Sequence, residues 1–311
     1  MNLLAEEPAL PPKQAPRWRL LFVSSRGLRA GWCLVIFILA YLGLETLLTK
    51  AVHSQHWLDS AILLARQGVL TAKLVLVEDG ISGIALVLAM ALMGKIQRQS
   101  LGEYGLPGRK AFRHQFRSGL LWGFAGSTLL ISLIFVSHGY SFGTLANGVW
   151  STAASGLLWA LVNIVVALYE ESLFRGYIQS TLSGSIGFWP AAVFSSLLFG
   201  GAHLENFGET WVGGLAAFVF GMFLCLTLRR TGSLWFAVGT HAAWNYALVF
   251  IYSATDSGFV AQGHLLRSSF QGPHWLTGGS FGPEGSAFVF PVIVCLFASF
   301  ARIHKKQDTT M

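Results

Sequence analysis

Apolar residues gather in this chain into long runs divided by short polar stretches. The runs lie at roughly 30–48, 74–93, 119–136, 156–182, 188–202, 211–228, 234–251 and 287–301. Most approach the ~20 residues that an α-helix needs to cross ~30 Å of hydrocarbon. The pattern predicts an all-α polytopic membrane protein with about eight transmembrane helices; the fifth and eighth runs are the shortest. The first run starts near Leu28 and is long enough to span, so it is expected to remain as an anchor. Ahead of it, residues 1–27 read as a polar, Pro-rich and then basic arm. Residues 28–301 read as a single transmembrane helical domain, and 302–311 as a basic tail. Between the first two runs, residues 50–72 suggest an interfacial helix. The Gly-rich loop 252–286 ends in Gly282-Pro283-Glu284-Gly285-Ser286 and is too polar to span.

Composition agrees with the pattern. The 311 residues are 53% hydrophobic and 11% charged, whereas a soluble domain carries roughly 25% charged residues. The three cysteines, Cys33, Cys225 and Cys295, fall inside apolar runs at spacings that suit neither zinc nor a disulfide framework, and read as small core residues. A net charge of +7 would suggest nucleic acid in a soluble protein. Here its distribution says otherwise. With the N-terminus inside, sixteen of the 21 Lys and Arg fall on cytoplasmic segments, and Lys50, Arg66, Lys73 and Arg267 fall outside. Such a bias predicts cytoplasmic N- and C-termini in a multi-pass protein of the cell (plasma or inner) membrane. The lipid bilayer, and no nucleic acid, is the partner that the charge implies.

Against this apolar background the polar residues at membrane depth stand out. Glu170 and Glu171 are adjacent in the fourth run, and an ionised carboxylate at that depth costs on the order of 3 kcal/mol or more. Glu171 and Arg175 are four apart, so on a helix they share a face and can pair. Glu170 is rotated by about 100° and need not join them. Counting 1.5 Å per residue from the cytoplasmic ends, Glu170, His203 and Asn245 all reach about 17–22 Å, and His241 about 11 Å. One cavity could therefore receive side chains from three spans. A structural ion pair accounts for Glu171 and Arg175 equally well, and His241 and Asn245 could be inter-helix hydrogen-bond glue. His203, beside Glu205 and Glu209, could be interfacial. A second acid with no Lys or Arg to neutralise it is harder to explain. Glu with His at depth is the composition of a general-base site.

The motifs Glu170-Glu171-x-x-x-Arg175, Phe199-x-x-x-His203 and His241-x-x-x-Asn245, in this order, resemble those of the CAAX protease and bacteriocin-processing (CPBP, or ABI) family of intramembrane peptidases, which includes the type II CAAX prenyl endopeptidases. The motif-bearing part of the resemblance covers about residues 119–251. It implies an endopeptidase acting on a membrane-associated peptide or protein. Glu170 would activate water with His203, His241 and Asn245 would donate to the oxyanion, and Glu171, Arg175 and Phe199 would support the site. No cofactor is required in that reading.

Rival readings exist. Glu170, His203 and His241 could instead ligate a catalytic zinc, although the chain lacks His-Glu-x-x-His. Gly80-Ile81-Ser82-Gly83 matches a rhomboid-type serine motif, but small residues in membrane spans are commonly packing surfaces. A non-catalytic transporter or scaffold would use Glu78 and Asp79 with Glu170 as an ion path. Those two acids are expected instead at the outer interface, beside Lys73.

Overall fold

The computed structural model describes residues 22–304 apart from 25–26, 108, 205–209 and 256–258. The expected arm, with Arg17, Arg19 and Arg26, lies outside these residues except for 22–24 and 27. So do the tail beyond residue 304, Glu205 and Glu209.

The chain is an all-α polytopic membrane protein. Its helices are α1 (Ala30–His53), α2 (Asp59–Ala65), α3 (Ala72–Gln97), α4 (Arg109–Val136), α5 (Val149–Ile186), α6 (Phe188–His203), α7 (Trp211–Thr231), α8 (Trp235–Tyr246, extended by a π-turn Ala247–Ile251), α9 (His274–Thr277) and α10 (Val289–Ile303). Every apolar run of the sequence thus becomes a helix. Five of these, α1, α3, most of α4, α5 and α7, are long and apolar enough to cross a bilayer, while α6, α8 and α10 are shorter. Many large apolar side chains face outward, among them Leu39, Leu47, Leu121 and Leu157. Contiguous apolar exposure of this kind marks a lipid-facing surface.

The fourth span differs from expectation. Its 38 residues form one rod about 57 Å long, nearly twice the hydrocarbon thickness. Within it the α-helix Val149–Glu171 passes into a π-helical stretch, Ser172–Gln179, immediately after the two glutamates. Such widened turns occur mostly where a helix serves a site. The rod ends at Gly187, whose φ of 84° is open to glycine at little cost and turns the chain straight back into α6. Glu170 lies about 24 Å before the end of the rod and His203 about 22 Å along α6. The hairpin therefore brings them level.

At the opposite end, the connecting segments close on one another. Val69–Leu70 pairs with Val260–Ala261, Tyr140–Ser141 pairs with Ser269–Phe270, and Leu145 bridges Leu266. Of residues 50–72, where an interfacial helix is expected, seven form α2, the first few complete α1, and Val69–Leu70 joins this cap.

The helix that carries His241 and Asn245 is held by close backbone approach. Gly119 and Gly123 of α4 face α8, and Gly239 of α8 faces α4. A Cβ on Gly119, Gly123 or Gly239 would overlap the carbonyl oxygen of Phe236, Thr240 or Phe116 respectively. Small residues at a membrane-helix crossing permit this contact. Gly123→Ala is therefore expected to lower stability by about 1–3 kcal/mol, read as a fall in the unfolding midpoint of the detergent-solubilised protein. An unchanged midpoint would contradict the tight crossing.

Candidate active site

Glu171 is the most enclosed acid of the site, with a side chain 0% exposed. One of its oxygens, Oε1, accepts hydrogen bonds from Arg175 Nη1 and from His241 Nδ1, each at 3.0 Å. The first contact is the helical i,i+4 pair; the second crosses from α5 to α8. Arg175 is equally enclosed, and Gly221 of α7 leaves space for its Nη2. The ring of Phe199 lies 4.3 Å from the guanidinium carbon and 4.5 Å from the ring of His203. It also meets His241 edge-on at 6.0 Å. Phe199 therefore ties α6 to the ion pair through an aromatic face.

Glu170 points differently. Its side chain is 22% exposed, and Oε2 lies 3.5 Å from His241 Nε2. His241 thus has one carboxylate at each ring nitrogen. With Glu171 ionised beside Arg175, Nδ1 of His241 carries a proton, because a carboxylate only accepts. Its Nε2 then donates when the ring is protonated and accepts when it is neutral. His203 is fixed by a different bond, Nδ1 to the Phe199 carbonyl at 2.8 Å. A carbonyl can only accept, so Nδ1 is the protonated nitrogen and Nε2 keeps its lone pair when the ring is neutral.

Two cavities meet at these residues. The larger, about 210 Å³, is lined by Glu170, His203, Asn245, Asp79, Asn163 and a wall of Val and Trp159. The smaller, about 30 Å³, lies between His203, His241, Asn245, Trp244, Phe220 and Glu284. Its size suits one or two water molecules. His203 and Asn245 border both. Among the described residues Asn245 has no hydrogen-bonding partner, so its amide is free to serve either space.

Several acids lie elsewhere than the sequence suggested. Glu78 and Asp79 are not interfacial partners of Lys73, which stacks instead over Trp57 at 4.5 Å. Glu78 bonds His53 Nε2 at 2.6 Å, and Asp79 lines the larger cavity with Glu170. The hydroxyl of Ser82 donates to Glu45 at 2.6 Å rather than to a histidine. Glu284 and Asn163, which sequence reasoning passed over, also reach the cavities; Glu284 accepts from Trp244 Nε1 at 2.8 Å. Asn163 carried a usable signal, being an amide in the middle of an apolar run. Among the described residues no group of three or more His, Cys, Asp or Glu is arranged to hold a metal ion. The zinc set read from the sequence, Glu170, His203 and His241, forms no such group.

Residues 152–247 match the family model described as Type II CAAX prenyl endopeptidase Rce1-like, and this window contains all three motifs. CAAX prenyl protease 2 of Homo sapiens is 30% identical over 117 residues, covering 33% of this chain and 36% of that protein. The match thus spans little more than a third of the curated relative. No solved structure matches. The CAAX-protease resemblance read from the motifs is borne out over this segment.

The two glutamates should respond differently to neutralisation. Glu171→Gln removes the negative charge that Arg175 and His241 share, leaving the buried guanidinium facing a neutral amide, and is expected to cost about 3–5 kcal/mol. Glu170→Gln, in a roomier setting, should stay within about 1 kcal/mol of the parent. Thermal unfolding of the two variants in detergent, side by side, decides the matter; the reverse order would refute this division.

Proposed function

We propose that this protein is an intramembrane endopeptidase of the cell (plasma or inner) membrane, hydrolysing a peptide bond in a membrane-associated peptide or protein. The observation that carries the reading is the shared cavity. Glu170, His203 and Asn245 come from three helices and line one space large enough for water and a segment of substrate. The family match over the same residues supports it.

In this reading a water molecule lies between the Glu170 carboxylate and His203 Nε2. Glu170 takes a proton as the water oxygen attacks the scissile carbonyl carbon. The carbonyl oxygen becomes an oxyanion and receives hydrogen bonds from the Asn245 amide and from Nε2 of protonated His241. Collapse of the tetrahedral species breaks the C–N bond, and the proton held by Glu170 passes to the departing amine. Glu171 and Arg175 orient His241, and Phe199 fixes the spacing between His203 and the ion pair. No step needs a metal.

Comparison of peptide N-termini in membranes carrying the parent or Glu170→Gln tests the activity. Cleavage products present only with the parent are expected, and identical profiles would refute the proposal. With a substrate so found, Asn245→Ala should lower kcat by about 10²–10³. Cleavage by the parent should persist in a metal-free preparation containing chelator. Loss on chelation and recovery with zinc would favour the metal route instead.

A further inference from the structure

Asp79 presents a chemical problem that the reaction does not explain. It lies in α3, half-buried, and lines the larger cavity together with Glu170. Among the described residues it has neither a hydrogen bond nor an ion pair. A carboxylate in a membrane span normally has a partner or a task. Asn163, 3% exposed, lines the same space. Its amide nitrogen is engaged by the Trp159 carbonyl at 2.8 Å, which leaves the amide oxygen as a further acceptor. The Trp159 Nε1–H is taken by the Gln262 carbonyl at 2.9 Å.

This part of the cavity therefore offers acceptors and negative charge: the Asp79 carboxylate, the Asn163 oxygen and the Glu170 carboxylate. No Lys or Arg is among its described lining residues. The rest of the wall is apolar, with Val75, Val162, Val166 and Val249. A lysine side chain complements both parts. Its ammonium has three donors and no acceptor, and its methylene stem seeks apolar cover. Arginine shares that chemistry, whereas an acidic side chain or a free carboxylate would meet like charge at Asp79 and Glu170.

We propose that Asp79 is a specificity-determining residue, and that the Asp79–Asn163 side of the cavity is a subsite for a cationic side chain of the substrate near the scissile bond. The inference rests on the peptidase reading for its biological meaning, but its binding test does not depend on catalysis.

The test uses full-length protein carrying Glu170→Gln, which keeps an acceptor at that position but removes the base. Fluorescent peptides that differ only in lysine, norleucine or glutamate at one scanned position are titrated into it in detergent. Lysine peptides are expected to bind at least about tenfold tighter than norleucine peptides, the scale of one charge-assisted hydrogen bond. Glutamate peptides should bind more weakly still. Adding Asp79→Asn should bring the lysine-to-norleucine ratio close to one, and Asp79→Glu should restore it. Glu78→Gln, which alters the same helix outside the cavity, should keep the preference. Equal affinities at every scanned position, or a preference that survives Asp79→Asn, would overturn the subsite. Cleavage of the same peptides by the parent protein reports on the peptidase separately: cutting without a preference sinks only the subsite, and a preference without cutting sinks only the peptidase.

Discussion

One negative charge kept from water governs this molecule. The Glu171 carboxylate lies fully enclosed between Arg175 and His241, and the cost of dehydrating three ionisable groups is met only while all remain in contact. The Arg175 bond is local to α5 and would form on any helix with this spacing. The His241 bond is not local, since it joins residues 70 apart in sequence. Phe199, lying on the Arg175 guanidinium, brings α6 into the same arrangement. A single buried charge thus sets the mutual rotation of α5, α6 and α8, the three helices that carry the motifs.

The geometry that allows this contact comes from residues with no chemistry of their own. Glycines on α4 and α8 let those backbones touch, and Gly221 makes space for the guanidinium. In lipid there is little hydrophobic drive to bring helices together, so close approach and polar contacts carry the packing. The strand pairs and turns of the outer segments then fix the far ends of the rods. Glu284 hangs from this cap into the smaller cavity, which makes the cap part of the site's wall as well as a cover.

The proposed function rests on the contrast between neighbouring glutamates. Glu171 is fully enclosed, its Oε1 held by Arg175 and His241. Glu170, rotated about a quarter turn on the same helix, opens onto a cavity with free acceptors and an unpaired amide. Adjacent positions on one helix thus let one carboxylate serve as a strut while the other faces the cavity. Asp79 and Asn163 line the same open side, and in the proposed reading they select what the cavity admits.

The sequence by itself determined the helices, because a long apolar run in a bilayer must satisfy its backbone internally wherever its neighbours lie. It also determined the Glu171–Arg175 pair, an interaction of one turn, and marked Glu170, His203, His241 and Asn245 as residues too polar for their depth. The tertiary structure decided which of these meet. That His241 lies between both glutamates, that Asp79 turns to the cavity rather than to Lys73, and that Ser82 serves Glu45 all depend on helix rotation and on which helices become neighbours. A helix that is apolar on every side carries no amphipathic stripe to announce its buried face. Contacts between distant rods, not periodicity along one of them, therefore set the chemistry around Glu170 and Glu171.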